Sequence, residues 1–227
     1  MPLRDLICGE MQTLRLYESL IGAVDASFQQ SITSQDAFDL LKAGALRAQQ
    51  NRRLIRDAAQ LREDASQGQA PYAAVLSCID SRVPVEQIFD AVSGDLFVAR
   101  VAGNVASPSV VASLEFATAL AGAKAILVLG HTKCGAVKGA CAPDQPAGVL
   151  GDLLARISPA VEAARQQCGP DPTAEMLHTC SLENVRQSCA DLLSQSDVLA
   201  SLVEKGDLCV HGALFDVATG SVVWEGV

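Results

Sequence analysis

Two short segments of the chain combine side chains that bind a soft divalent metal. Residues 78–82 read Cys-Ile-Asp-Ser-Arg, and residues 131–135 read His-Thr-Lys-Cys-Gly. The thiolates of Cys78 and Cys134, together with the imidazole of His131, form a mixed ligand set typical of tetrahedral zinc. Three protein ligands leave a fourth position free, which is the feature that separates a catalytic zinc from a structural one.

Each of these residues also has an ordinary structural explanation. A lone cysteine in an apolar stretch, as Cys78 is, usually belongs to the core, and His131 and Cys134 could share a helix face by chance. A zinc finger fits poorly, because structural sites use two close ligand pairs, whereas Cys78 stands alone 53 residues before His131. Asp80 and Arg82, an acid and a base inside the first segment, indicate chemistry at the same place.

The order of the predicted elements brings the two segments together. Apolar runs predict buried strands at 73–79, 95–101 and 125–129, separated by helices at 85–89 and 109–121. Strands and helices that alternate at these spacings form right-handed crossovers in a parallel sheet. Both segments then follow the carboxyl ends of strands, which is the edge where open α/β sheets bind ligands. This shared position favours a zinc site over the separate structural explanations.

The rest of the chain completes an α/β fold. Further helices are predicted at 151–167, 173–193 and 197–204, and strands at 207–215 and 221–224 form a C-terminal hairpin. The predicted fold class is therefore α/β, with a central, mostly parallel β-sheet flanked by helices and an antiparallel pair at one edge.

Residues 1–66 predict a helical N-terminal arm, followed by a zinc-binding catalytic domain at 67–227. Arginines alternate with Ala, Leu and Gln in the second half of the arm, at Arg47, Arg52, Arg53, Arg56 and Arg62. One interpretation is a solvated amphipathic helix. The other is an arm that packs on the partner subunit.

Composition narrows the function classes. The net charge of −9 over 227 residues disfavours a nucleic-acid partner, since such proteins present basic surfaces. No apolar run reaches about 18 residues, so no membrane span is predicted. The first residues lack the apolar core of a signal peptide, and we expect a cytoplasmic protein or one packaged inside a cytosolic compartment. Most of the eight cysteines are accordingly expected to be reduced, whereas Cys8, near an exposed end, could oxidise.

The sequence resembles the β-class carbonic anhydrases. Residues 78–82 match the family pattern Cys-x-Asp-Ser-Arg, and residues 131–135 match His-x-x-Cys-Gly. The resemblance continues through 83–90, through Phe-Val-Ala-Arg-Val-Ala-Gly-Asn at 97–104, and through the closing segment 206–216. It covers roughly residues 36 to 225, and the combined motif is highly specific.

This resemblance implies a set of site residues. Cys78, His131 and Cys134 would bind one Zn²⁺ per subunit, with Asp80 either as a fourth ligand in a closed form or as the partner of Arg82 in an open form. The residues implied to contact the substrate, CO2 or bicarbonate, are Gln69, Phe97, Ala102, Phe116 and Gly135. The family also implies a homodimer or higher homo-oligomer, with the substrate cleft at the interface. A Trp that serves a regulatory bicarbonate site in another branch is Val75 here, so we do not expect that inhibition.

The implied activity is the reversible hydration of carbon dioxide by a zinc-bound hydroxide, with activity that rises through weakly alkaline pH. For the proton that must leave, the sequence offers His178 and His211, although a helix-surface role and a core role explain them equally well. One alternative is a carbon disulfide or carbonyl sulfide hydrolase on the same zinc site. Another is a catalytically silent zinc-binding scaffold, against which the Asp80–Arg82 pair and Gln69 argue.

Overall fold

The structure, a computed structural model, describes residues 24–144 and 146–225 and is organised around one five-stranded sheet. Its strands are β1 (Ala73–Ser77), β2 (Leu96–Arg100), β3 (Ala125–His131), β4 (Cys209–Phe215) and β5 (Val222–Glu225). The strand order is β2-β1-β3-β4-β5, in which the first four are parallel and β5 pairs antiparallel with β4. The predicted mostly parallel sheet with a C-terminal hairpin is confirmed.

Helices cover both faces of this sheet. They are α1 (Ala26–Ser31), α2 (Ser34–Gln49), α3 (Ala58–Ala65), α4 (Val85–Ile88), α5 (Pro108–Glu115), α6 (Gly135–Ala140), α7 (Val149–Ala155), α8 (Ser158–Cys168), α9 (Ala174–Gln195) and α10 (Asp197–Glu204). Every residue of β1 and β3 is buried, as expected for parallel strands covered on both sides. Val75 and Leu127 face a core that includes α2, whereas Leu76 and Val128 face one that includes α9.

Two predicted helices are divided in the structure. The segment predicted at 109–121 is α5 followed by a π-helical turn at Phe116–Leu120. The segment predicted at 151–167 is two helices, α7 and α8, with a break at 156–157. Pro159 lies in the first turn of α8. Because proline has no N–H to donate to the preceding turn, a helix continuous from α7 through this position is disfavoured.

The described part of the N-terminal segment packs against the sheet. Helix α2 contributes Phe38 and Leu41 to the same core as strands β1 and β3, and the Phe38 ring stacks on His211 with centroids 3.7 Å apart. Part of the predicted arm therefore shares a core with the predicted catalytic domain, and the division between 66 and 67 stays a prediction. Packing of the segment on a partner subunit stays a prediction, and residues 1–23 lie outside the described part.

Arginines at the end of α2 and in the segment after it anchor this part of the chain. Arg47 and Arg56 do not form a uniformly solvated face. The Arg47 Nε donates to the carboxylate of Asp90 at 2.6 Å, and an Arg56 Nη1 donates to the Asp90 carbonyl at 2.8 Å. The Asp90 side chain is buried, so these charge-assisted bonds tie the segment to the catalytic core.

Within the described residues, helices long and apolar enough to cross a membrane are absent.

Candidate metal centre

The three predicted ligands meet at the carboxyl edge of the sheet. Cys78 directly follows β1, His131 ends β3, and Cys134 is the N-cap of α6 three residues later. Strands β1 and β3 are neighbours in parallel register, so the chain leaves both at the same level. The three donor atoms lie within 4.8 Å of one another, and all three residues are buried.

The donor set fits a tetrahedral zinc ion. The two sulfurs are 3.9 Å apart, and two thiolates about 2.3 Å from one tetrahedral zinc would be separated by about 3.8 Å. The His131 Nδ1 lies 3.0 Å from the Thr132 carbonyl, which can only accept, so Nδ1 carries the proton. The lone pair then resides on Nε2, which is buried and has no hydrogen-bond partner among the described residues. A metal ion would satisfy this otherwise costly buried atom.

The electrostatics of the two thiols suit metal binding. The hydrogen bond between the two sulfurs lowers the pKa of Cys78 to about 4 against the opposing effect of burial, and the backbone N–H of Gly103 also donates to its sulfur at 3.3 Å. The pKa of Cys134 is raised, first because its sulfur holds the proton in that bond and then because it is buried. Metal ligation requires thiolates, so a metal that binds both sulfurs displaces the proton of the bond between them.

Asp80 lies beside this cluster without belonging to it. Its carboxylate accepts bonds from the Arg82 Nε at 2.9 Å and an Arg82 Nη2 at 2.8 Å, and the same Nη2 also donates to the Lys133 carbonyl at 3.1 Å. The bond from Arg82 holds the pKa of Asp80 well below its usual range. One carboxylate oxygen is 3.9 Å from the His131 Nε2. The protein thus presents three ligands and a carboxylate held next to them.

Sequence reasoning missed the residue that fixes the backbone between Cys78 and Asp80. Arg100, at the end of β2, donates from Nε to the Cys78 carbonyl at 2.9 Å and from Nη2 to the Asp80 carbonyl at 2.6 Å. The available signal was its position at the carboxyl end of a strand next to β1. A second missed residue, Asn184 of α9, donates to the Gly103 carbonyl at 2.8 Å and so supports the N–H that reaches the Cys78 sulfur.

The predicted substrate residues divide into two groups. Ala102 precedes Gly103 in the short 3₁₀ turn that contacts the Cys78 sulfur, and Gly135 follows Cys134 at the start of α6 with open space above its Cα. Both lie next to the ligand cluster.

The other three lie elsewhere in this chain. Phe97 pairs with Ala74, four residues before Cys78, or about 13 Å along the strand. It meets the half-exposed Phe116 edge-on, at the border of an open surface groove of about 430 Å³. Gln69 is exposed before the amino end of β1, at the opposite edge of the sheet. The chain alone does not bring these three to the metal centre.

The candidate proton shuttles also lie away from the ligands. His211 pairs with Leu127, which is four residues before His131 on the same strand, and its ring is stacked on Phe38. Burial lowers the pKa of His211, and this packing gives it a structural role. His178 lies on an exposed position of α9.

Comparison with known proteins agrees with this fold and site. The sequence profile of the carbonic anhydrase family matches residues 73–222. A relative, carbonic anhydrase 2 of Mycobacterium tuberculosis, is 34% identical over 160 residues, which cover 69% of this chain and 75% of the relative.

Two solved structures show the same architecture. The β-carbonic anhydrase CafA of Aspergillus fumigatus has a TM-score of 0.68 at 27% identity and covers 84% of this chain and 89% of its own. One of two tetrameric β-carbonic anhydrases of Sordaria macrospora also has a TM-score of 0.68, at 25% identity, covering 89% of this chain and 98% of its own. The chain belongs to the β-carbonic anhydrase family, a family of enzymes.

Proposed function

We propose that this chain catalyses the reversible hydration of CO2 to bicarbonate and a proton, with one zinc ion per subunit held by Cys78, His131 and Cys134. The observation that carries the proposal is a three-donor cluster with an unpaired His131 Nε2 and a carboxylate kept beside it by Arg82. A structural zinc closes its coordination with four protein ligands. Three ligands and a restrained fourth group are the arrangement of a site that leaves room for a reactant.

Zinc in such a site lowers the pKa of water enough to supply a nucleophile near neutral pH. The residues around it then have separate tasks. Asp80, fixed in a bidentate pair by Arg82, offers a carboxylate oxygen that can accept a hydrogen bond and orient that water. Gly135, at the start of α6 next to Cys134, would donate its backbone N–H to an oxygen of bicarbonate. The apolar side chain of Ala102, in the turn that contacts the Cys78 sulfur, would border the space for CO2, itself apolar.

We further propose that a second copy of the chain completes the substrate cleft. Gln69, Phe97 and Phe116 lie too far from the ligands to act in their own subunit, but all are accessible to a neighbour. Phe116 is 51% exposed and lines a surface groove together with Phe97 of the edge strand β2, so an apolar surface of a second copy could cover it. The Sordaria relatives are described as tetramers. A homodimer or higher oligomer would place these residues over the partner's metal centre.

Stopped-flow CO2 hydration on zinc-loaded protein, from about pH 7 to about pH 9, tests the proposal. We expect turnover that rises with pH and a loss of both zinc and turnover in Cys78→Ser. Cys189→Ala is the matched control. Cys189 is also buried, but it belongs to α9 and packs in a different core from Cys78. Zinc-loaded, folded protein without turnover at any pH would refute CO2 hydration. Carbon disulfide and carbonyl sulfide are then assayed to separate the hydrolase from the silent scaffold.

A further inference from the structure

A second pair of thiols lies close to the metal centre and takes no part in it. The sulfurs of Cys141 and Cys180 are 3.8 Å apart, and both side chains are buried, at 3% and 0% exposed. Both are free cysteines and share an apolar cluster with Cys78 and Cys134. Their separation is already close to the approach that a disulfide requires, although no bond joins them.

Two features of this pair favour a thiolate, namely the contact between the two sulfurs and a nearby cation. The thiolate is the nucleophilic form of cysteine, and a nearby cation favours it. The hydrogen-bonded contact between the two sulfurs is the largest effect that lowers the pKa of Cys141, and the charge of Arg165, which donates to the Cys141 carbonyl at 3.5 Å from α8, lowers it further. The pKa of Cys180 is raised by the same contact and by burial. The pair therefore contains a nucleophile and a partner thiol in contact.

Closing the pair would pull on the metal centre. A disulfide of about 2.05 Å brings the sulfurs roughly 1.8 Å nearer. On one side is α9, a helix of 22 residues with one face buried from Met176 to Leu192. On the other is α6, a helix of six residues followed by a stretch of exposed residues that begins at 143. The shorter helix is the one that can move, and its N-cap is the ligand Cys134 while its C-cap is Cys141.

Cys180, the other member of the pair, is connected to the second sulfur ligand, Cys78. Cys180 lies one turn before Asn184 on α9, and Asn184 donates to the carbonyl of Gly103, whose N–H reaches the Cys78 sulfur. Strain across the pair would thus be transmitted to both thiolate ligands. Because interiors are close-packed, a shift of this size cannot be absorbed without displacing neighbours.

We propose that Cys141 and Cys180 are an oxidation site that a peroxide converts to a disulfide, and that this bond weakens metal retention through α6. The Cys141 sulfur attacks one peroxide oxygen and the O–O bond breaks, so Cys141 becomes a sulfenic acid and the departing hydroxide takes up the Cys141 proton to form water. The Cys180 sulfur then attacks the Cys141 sulfur, the S–O bond breaks, and water leaves with the Cys180 proton. Two thiols and one hydrogen peroxide give one disulfide and two waters, and a dithiol reductant reverses the change.

The test treats full-length, zinc-loaded protein with hydrogen peroxide and maps disulfides by mass spectrometry of a digest under non-reducing conditions. A peptide linked through Cys141 and Cys180 is expected, and it should disappear after dithiothreitol. The rate of zinc transfer to a chromogenic chelator is measured on the same samples. Oxidation is expected to speed the transfer by about tenfold, since changes beside metal ligands cost 10–100-fold in affinity.

Three variants separate this site from its neighbours. Cys141→Ala and Cys180→Ala should show neither the linked peptide nor the faster transfer, whereas Cys189→Ala, which alters another buried thiol of α9, should behave like the parent. Peroxide-driven zinc loss of the same size in Cys141→Ala would place the oxidation on Cys78 or Cys134 and overturn the proposal. So would a linked peptide with unchanged transfer, or no linked peptide at all.

The disulfide itself does not depend on the proposed function, but the zinc readout does. Metal content is therefore measured first. Protein that takes up no zinc would refute the proposed function, whereas the absence of a Cys141–Cys180 peptide from zinc-loaded protein would refute only this inference.

Discussion

Replacing Arg82 with alanine tests the central claim about the site, that Asp80 is held beside the metal position and not in it. The change removes two donors to the Asp80 carboxylate, Nε at 2.9 Å and Nη2 at 2.8 Å. One bond remains, from the backbone N–H of residue 82 to the same carboxylate at 2.9 Å. A single neutral donor cannot fix both oxygens, so the carboxylate becomes free to rotate.

The structure gives the distance that this rotation must cover. The nearer carboxylate oxygen is 3.9 Å from the His131 Nε2. Two ligand atoms about 2.0 Å from one tetrahedral zinc lie about 3.3 Å apart, so an approach of roughly 0.6 Å brings Asp80 to ligand geometry. We therefore expect Arg82→Ala to occupy the fourth position with Asp80 and to lower kcat by about 10–100-fold near neutral pH, the usual effect of losing a group that orients a metal site.

The assay is stopped-flow CO2 hydration with zinc content measured on the same samples. Zinc content should stay at that of the parent, because the three ligands are intact and a fourth is gained. Arg82→Lys is the control that keeps the charge without the planar fork, and it should fall between the two proteins. Arg82→Ala with full zinc and more than half of the parental kcat would refute the reasoning, since Asp80 would then need no restraint.

Two further predictions concern stability, measured by urea unfolding. Burial raises the pKa of Asp95 to about 6, whereas the unfolded chain has the ordinary value, so the parent loses stability as pH rises from about 4 to about 6. Asp95→Asn should keep an acceptor for the Val92 N–H. Above pH 6 its free energy of unfolding should exceed that of the parent by up to roughly 3 kcal/mol. If the free energies of the two proteins differed by the same amount at about pH 4 and about pH 7, the result would contradict this prediction. Gly44→Ala should cost about 1–3 kcal/mol, because a Cβ there would clash with the Phe89 carbonyl, whereas Gln49→Ala on the same helix should change little.

The metal centre could be predicted from the sequence because its ligands are set by local rules. Cys78 and His131 end strands, and parallel neighbours in register end at one edge of a sheet. Cys134 is three residues from His131, so a single turn delivers it. Lys133, with a φ of +58°, shows how tight that turn is. These relations depend on short sequence distances and strand polarity, which patterns reveal.

The packing of the N-terminal segment could not be predicted in the same way. An arginine-rich helix has the same pattern whether its charges meet water or a buried carboxylate. The partner here is Asp90, 43 residues after Arg47, in a loop that no periodicity connects to it. Similarly, Arg100 binds carbonyl groups, which every residue carries, so its role leaves no mark in the residue types around it.

The positions of the proposed substrate residues favour a site that is built from two chains. Gln69 precedes β1 and Cys78 follows it, so five strand residues hold them at opposite edges of the sheet, and no rearrangement that keeps β1 can join them. If both serve one reaction, the reacting groups must come from two chains. The exposed Phe116 is consistent with that requirement, because a groove at the β2 edge costs little to cover with an apolar partner surface. A dissociated, folded subunit should then keep its zinc and lose its turnover.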